Sequence, residues 1–142
     1  YPEFIELAGK VNQSQPRFCV SRIERILNDQ TRSVRDSKIL ILGVSYKAGV
    51  GDTRESPAIK IIRLLAELGA DLRYHDPHVP ELKGAGLTHS EDLDAALGEA
   101  DLSVIVTSHP EVDVDTVVEK SKSLLDLRGV TRNHEGSHIN RL

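Results

Sequence analysis

Two cationic side chains stand just past predicted strands, where they could bind an anionic ligand such as a diphosphate. Lys47 follows the apolar run 39–42, and Arg128 follows a second predicted strand, 123–127. If the sheet is parallel, both residues lie at its carboxyl edge, where ligands bind in open α/β folds. Two cations at one edge are suited to holding a diphosphate or a sugar. Each also has a structural interpretation: a surface lysine for Lys47, and a contact with Asp126 for Arg128.

The loop 47–56 is dense in charge and leads into a predicted helix. Arg54 lies among acidic neighbours, and Ser56 is a good helix N-cap with a proline after it. A strand that leads through a loop to a helix N-terminus is a place where phosphate groups bind. The alternative is a helix cap with a local ion pair, which is worth little on a surface. Gly49 and Gly51 are expected to loosen the loop.

The elements that must position these residues alternate between strand and helix. The pattern predicts strands at 38–42, 71–75, 100–107 and 123–127, a brief strand at 87–88, and helices at 4–27, 57–68, 91–97 and 112–120. Pro16 predicts a kink or two helices that meet near it, and Ser90 is expected to cap the helix at 91–97. This alternation implies a mostly parallel, Rossmann-like sheet with helices on both faces. Beyond Gly129 we expect partial order at best.

Composition excludes several classes of protein. The formal charge of −4 argues against a general nucleic-acid binder. No run approaches the roughly 18 apolar residues of a membrane span, and no signal peptide is visible. Cys19 is the one cysteine, so no intrachain disulfide is possible and a cytoplasmic location is expected; we interpret it as a packed side chain. The start at Tyr1, in mid-pattern, suggests a piece of a longer protein.

Neither a dinucleotide site nor a metal site is predicted from the residues. Gly43 is followed by no G-x-G-x-x-G pattern, so the acid that ends the second strand, Asp76, is expected to form a turn with Pro77 rather than to hold an NAD ribose. The histidines near turns and strand ends match no metal-ligand spacing: His75, His78, His89 and His109. A pocket-lining role for His109 stays open.

The stretch G-V-S-Y-K-x-x-x-x-D-T-R-E-S-P-A, residues 43–58, resembles the opening of the C-terminal, UDP-binding domain of the nucleotide-sugar 6-dehydrogenases. The family acts on UDP-glucose, UDP-N-acetylglucosamine, UDP-N-acetylmannosamine or GDP-mannose. By residue match, the resemblance implies that Lys47 and Arg128 contact the UDP-sugar, with Tyr46 beside the lysine. It also implies that Arg54 reaches the NAD held by another domain. Gly49 and Gly51 stand where the family commonly has acidic residues, so the direction in which Arg54 points stays open.

The resemblance also implies a parent enzyme that oxidises a sugar C6 alcohol to a carboxylate with two NAD, through a thioester on a cysteine. That cysteine and the NAD fingerprint belong upstream of the matched region, and Cys19 does not match. The chain alone is therefore expected to hold no catalytic residue, to bind a UDP-sugar weakly if at all, and to be inactive. The parent enzyme is expected to be a cytoplasmic homodimer or higher oligomer, and its product is expected to be used in the synthesis of cell-surface polysaccharide.

The resemblance, together with two polar stretches that lack periodicity, divides the chain into four parts. Residues 1–30 are the end of an interdomain and dimerisation helix, 31–37 a linker, 38–130 the UDP-sugar-binding domain and 131–142 a C-terminal tail. The stretches F-I-E-L-A-G-K-V-N and Y-H-D-P-H-V-P-E-L look most like the UDP-N-acetylhexosamine branch, with UDP-glucose as the alternative. A different class also stays open: a non-catalytic, flavodoxin-like module for nucleotide binding or dimerisation.

Overall fold

The computed structural model describes residues 2–84 and 86–142, which form a six-stranded sheet in the order β3-β2-β1-β4-β5-β6. The strands are β1 Lys38–Leu42, β2 Asp71–His75, β3 Thr88–His89, β4 Leu102–Ile105, β5 Leu124–Asp126 and β6 Ile139–Arg141. The helices are α1 Pro2–Asp29, α2 Pro57–Glu67, α3 Leu93–Glu99 and α4 Val114–Lys120. Every described pair of neighbouring strands is parallel, which confirms the predicted α/β fold.

The central strand β1 is buried on both faces, as its unbroken apolar run predicts. Ile39 and Ile41 belong to the core formed with α1 and α2. Leu40 and Leu42 belong to a second core formed with α3 and α4. Alternate side chains of a strand point to opposite faces of the sheet, so one four-residue run anchors both helical layers. The carboxyl end of β1 therefore has a fixed place in the middle of the sheet.

The first helix is a single element that passes through Pro16, so of the two predicted alternatives the division into two helices is wrong, and the kink stays a prediction. An internal proline removes one backbone hydrogen bond, and burial of the following turns offsets that loss. Ile23 and Leu27 are fully buried against the sheet and α2. Cys19 is also buried, and this burial raises the pKa of its thiol, as expected for a packed side chain rather than a nucleophile.

The C-terminal segment contains β6, which pairs in parallel with β5 through Leu124 and Ile139. The expectation of partial order after Gly129 is therefore wrong for this segment. Three strand residues in a polar context carry too little periodicity to be recognised, and Ile139 is stabilised by burial against the second core. Among the residues described, no helix has the length and apolarity of a membrane span.

Several predicted boundaries shift by a few residues. The N-cap of α3 is Asp92 rather than Ser90, because the Asp92 side chain accepts a hydrogen bond from the Ala95 N–H. The brief third strand begins at Thr88, one residue later than predicted. The fourth strand ends at Ile105, because the chain then turns into the loop that forms part of the candidate site.

Candidate functional site

A cleft of about 250 Å³ opens at the carboxyl edge of the sheet, past the ends of β1, β4 and β5. It is lined by Tyr46, Lys47, Ala48, Pro57, Val106, Thr107, Ser108, Arg128 and Val130. The structure thus brings Tyr46, Lys47 and Arg128 together, although the two cations lie 81 positions apart in the sequence. The parallel, neighbouring arrangement of the three strands is the reason, since it places all their carboxyl ends on one edge.

Both cations of the cleft are exposed, and within residues 2–84 and 86–142 neither side chain has an ion-pair or hydrogen-bond partner. Arg128 does contact Asp126, but through its backbone N–H at 2.9 Å rather than its guanidinium. The expected contact between Arg128 and Asp126 therefore runs through the backbone of Arg128, and the Arg128 side chain has no partner among the residues that the structure describes. Two unpaired cations at one concave edge give the cleft a positive local field.

The loop that carries Lys47 is held at its start by a buried carboxylate at the end of β2. The Oδ2 atom of Asp76 accepts hydrogen bonds from the N–H groups of Val44 at 2.8 Å and Ser45 at 3.2 Å, and Oδ1 accepts from His78 N–H at 2.8 Å. Burial alone raises the pKa of Asp76, but the hydrogen bonds from Val44 and His109 lower it below its ordinary value. Asp76 is thus an ionised loop anchor.

The same loop is held further along by His109, which lies beneath it and outside the cleft lining. Its Nε2 lies 2.9 Å from Asp76 Oδ2 and 3.1 Å from Ser45 Oγ. Its Nδ1 accepts a hydrogen bond from Gly49 N–H at 3.0 Å. Because Nδ1 acts as an acceptor, the ring proton lies on Nε2 and is donated to the carboxylate. Sequence reasoning left a pocket-lining role open for this residue and missed its contact with the loop.

The loop that carries Arg128 has an equivalent anchor in Asp126, at the end of β5. Its Oδ1 accepts from the N–H groups of Arg128 and Gly129, both at 2.9 Å, and its Oδ2 accepts from Thr131 N–H and hydroxyl. Burial raises the pKa of Asp126, but the bonds from Thr131 and the backbone lower it overall. Each cation of the cleft therefore sits on a loop fixed by a buried carboxylate.

Two glycines, Gly43 and Gly51, let the chain pack closely against its neighbours, and the expected loosening of the loop by Gly49 and Gly51 stays a prediction. Gly43 has a φ of +83°, and a Cβ there would lie 2.1 Å from the carbonyl oxygen of Thr107. A Cβ on Gly51 would lie 2.6 Å from the carbonyl oxygen of His78. Gly49 donates its N–H to a buried ring nitrogen. Only glycine permits the first of these approaches without moving backbone.

Arg54 lies outside the cleft lining, where the predicted local ion pair forms. Its guanidinium contacts Asp52 at 2.9 Å, and its side chain is 88% exposed. The hydrogen bond from Arg54 lowers the pKa of Asp52 to about 2. The predicted cap also forms, since Ser56 Oγ accepts from Ala58 N–H at 3.2 Å. A contact between Arg54 and NAD stays a prediction.

A Rossmann-type NAD site does not fit this domain. In such sites an acid at the end of the second strand holds the ribose hydroxyls. Here that acid is Asp76, which is fully buried and whose two oxygens are already used by Val44, Ser45, His78 and His109. The Asp76–Pro77 turn predicted from the sequence is present. Any NAD must therefore be held chiefly by other residues.

One group of side chains has the composition of a metal site. Ligand atoms of His78, His109 and Glu111 lie within 4.8 Å of one another, and His78 Nε2 contacts the Glu111 carboxylate. Both ring nitrogens of His109 already have partners, in Asp76 and Gly49. A metal would have to break one of those bonds, so the arrangement favours the loop contacts. The absence of a metal site stays a prediction.

The model of the UDP binding domain of the UDP-glucose/GDP-mannose dehydrogenase family matches residues 40–133. These residues run from the central strand through both cation-bearing loops of the cleft. The chain therefore belongs to the UDP-glucose/GDP-mannose dehydrogenase family, as its UDP-binding domain. The resemblance carried by residues 43–58 is confirmed.

Individual relatives agree on the family and differ in the sugar they are named for. The chain is 30% identical over 136 residues to the UDP-N-acetyl-D-mannosamine dehydrogenase of Methanocaldococcus jannaschii, covering 90% of this chain and 30% of the relative. It is 32% identical over 130 residues to the UDP-glucose 6-dehydrogenase TuaD of Bacillus subtilis, covering 88% and 27%. The solved UDP-D-ManNAc dehydrogenase from Pyrococcus horikoshii superposes with a TM-score of 0.80 at 26% identity, covering 96% and 32%. The chain thus spans about 30% of the length of these relatives.

Proposed function

We propose that this chain binds the UDP-sugar of an NAD-dependent nucleotide-sugar 6-dehydrogenase, with a UDP-N-acetylhexosamine as the favoured substrate. The observation that carries the proposal is a pair of cations, Lys47 and Arg128, that share one cleft at the carboxyl edge of the sheet and have no side-chain partner in the described part of the chain. N-acetylmannosamine and N-acetylglucosamine are the preferred sugars. UDP-glucose is the second candidate, because a UDP-glucose 6-dehydrogenase is 32% identical to the chain.

The charges of the cleft suit a diphosphate, and its size indicates that it forms only part of the site. A guanidinium binds two phosphate oxygens side by side, and an ammonium adds a point charge. Tyr46, which is 56% exposed at the rim, offers an aromatic face to the nucleoside. The volume of about 250 Å³ is slightly below the roughly 300 Å³ at which small-molecule sites begin. We therefore assign this chain one wall of the site, with a second domain as the other.

The oxidation itself is assigned to that second domain. We place no catalytic residue in this chain, and we assign Arg54 to an NAD contact across the domain interface. In the pair with Asp52 its guanidinium is fully charged and mostly exposed, so it is accessible to a neighbouring anion. We expect the full-length enzyme to be a cytoplasmic homodimer or higher oligomer and the chain alone to form no NADH.

The ligand class is tested by titrating the 142-residue chain with millimolar UDP, UDP-sugars, FMN and NAD while following amide shifts. UDP and its sugars are expected to shift the amides around Lys47 and Arg128, and FMN is not. Lys47→Ala and Arg128→Ala should each raise the Kd for UDP about tenfold, the loss of one charge-assisted hydrogen bond. Lys122→Ala, at an exposed lysine away from the cleft, is the matched control. FMN-specific shifts would favour the non-catalytic module instead.

The substrate is tested in the full-length protein that carries this chain. NADH formation is measured with UDP-N-acetylmannosamine, UDP-N-acetylglucosamine and UDP-glucose, and kcat/KM is compared. An N-acetylhexosamine substrate should give the highest value. A higher kcat/KM with UDP-glucose would overturn the assigned sugar but leave the UDP site intact.

A further inference from the structure

We propose that His109 is a positioning residue for UDP binding, which acts by fixing the loop 44–49 so that Lys47 faces the cleft. The inference rests on the proposed function, because it takes Lys47 as a ligand contact. His109 is 2% exposed and does not line the cleft, so it has no direct path to a nucleotide. Its effect on the ligand must pass through the loop above it.

The hydrogen bonds of His109 form a directed chain that reaches Lys47. The Nε2–H group is shared between Asp76 Oδ2 at 2.9 Å and Ser45 Oγ at 3.1 Å. The Ser45 hydroxyl then donates to the carbonyl oxygen of Lys47 at 2.9 Å. On the other side of the ring, Nδ1 accepts from Gly49 N–H at 3.0 Å. The imidazole is thus bonded to the loop on both sides of the lysine.

The Asp76 carboxylate makes this arrangement directional. It takes the Nε2 proton, which leaves Nδ1 as the acceptor that the loop amide requires. The pKa of Asp76 is lowered, so the group is ionised and is a strong acceptor. The other titratable groups facing the histidine are His78, whose ring centroid lies 4.8 Å away, and Glu111, which pairs with His78. Neither replaces a bond of His109 to the loop.

The experiment measures the Kd for UDP and for NAD by calorimetry in the full-length protein that carries this chain. His109→Phe removes all three ring hydrogen bonds and should raise the Kd for UDP about tenfold, with the Kd for NAD unchanged. His109→Gln keeps a donor and an acceptor and should recover part of that loss. His138→Phe, which removes a histidine bonded to the Val118 carbonyl, is the matched control and should leave the Kd for UDP unchanged.

A double-mutant cycle with Lys47→Ala separates positioning from general damage. In the Lys47→Ala background, His109→Phe should have no further effect on the Kd for UDP. If His109→Phe raises the Kd for UDP about tenfold in the Lys47→Ala background too, the inference is overturned. It is also overturned if Lys47→Ala alone raises the Kd for UDP and neither His109 variant changes it. An unchanged Kd in Lys47→Ala would instead overturn the proposed site, and with it the role of His109. If His109→Phe does not fold, the same double-mutant cycle is measured with His109→Gln and Lys47→Ala.

An NMR measurement on the 142-residue chain gives a readout that needs no ligand. The ring nitrogens of His109 should show an unprotonated Nδ1 and a protonated Nε2, and the Gly49 amide should be protected from exchange. His109→Phe should remove that protection while the amides of β1 stay protected. A protonated Nδ1 would rule out the bond from Gly49 and thus the proposed loop anchor.

Discussion

Replacing Asp126 by asparagine tests whether the Arg128 loop depends on a buried carboxylate. Asp126 is 1% exposed and accepts four hydrogen bonds, two on each oxygen. Asparagine keeps one carbonyl oxygen and presents an N–H₂ group to donors on its other side. At least one backbone N–H is then left without an acceptor, and the remaining bonds lose their charge. The variant therefore removes hydrogen bonds and leaves the side-chain volume nearly unchanged.

The expected loss in free energy of unfolding is about 3 kcal/mol. A hydrogen bond to a charged group contributes roughly 1.5–3 kcal/mol, and an unsatisfied buried donor costs about 1–3 kcal/mol. The Thr131 hydroxyl, now 2.6 Å from Oδ2, can rotate to accept from the new amide, which recovers part of the loss. At about 4 °C per kcal/mol for a chain of this size, Tm should fall by roughly 12 °C.

The loss should depend on pH with a definite sign. The folded-state pKa of Asp126 lies below its ordinary value, so its stabilising contribution is present above the unfolded pKa of about 3.9. That contribution disappears as the pH falls through the lowered pKa of the folded state. Asparagine lacks it at every pH. The difference between the two proteins should therefore be full at pH 7 and shrink below about pH 4.

The assay is urea unfolding of both chains between pH 7 and pH 3, followed by circular dichroism. Asp71→Asn, which changes an exposed aspartate at the start of β2, is the matched control and should not alter stability. A loss at pH 7 no larger than that of the control would refute the view that Asp126 anchors the loop. A difference that grows toward low pH would refute the assigned direction of the pKa shift.

Two further substitutions test the packing and the exposed charge of the Lys47 loop. Gly43→Ala should cost about 1–2 kcal/mol from its positive φ alone, plus the clash with Thr107. Gly84→Ala, with a φ of +78° and open space, measures the φ cost by itself, and equal losses in the two variants would contradict a clash. Asp52→Asn should leave Tm unchanged from pH 7 to pH 4, because the pair between Asp52 and Arg54 is exposed and the pKa of Asp52, about 2, lies below this range. A clear drop in Tm would show that the pair holds the loop.

Sequence patterns predicted the elements whose signals are local. The run Ile39–Leu42 indicated a strand buried on both faces, and Ser56 with Pro57 indicated the start of α2. Sequence patterns failed where an element is too short to show periodicity, or where tertiary contacts decide which of two residues caps a helix. Strand β6 has three residues and is stabilised by pairing with β5. At α3, Ser90 and Asp92 are both acceptable caps, and the local chain path selects Asp92.

The anchors of the site were beyond sequence reasoning for a different reason. Asp76 was expected only to form a turn, and His109 was given no definite role. Their bond joins residues 33 positions apart, and the bond from His109 to Ser45 joins residues 64 positions apart. The position of a single polar residue in the sequence does not indicate a hydrogen-bond partner that lies so far away along the chain. Asp126 was likewise considered as a partner for the Arg128 side chain, although it binds the backbone.

By itself, the sequence determined that Lys47 and Arg128 would share an edge of the sheet, because parallel strands carry their carboxyl ends to one side. It also determined the family, through residue types in an unbroken local motif. Only the tertiary structure decided that the two cations line one cleft, that no described acidic side chain pairs with either of them and that buried carboxylates hold their loops. Those features depend on strand order and on contacts between distant segments. Such contacts form only when the chain packs, and no periodic pattern in the sequence indicates them.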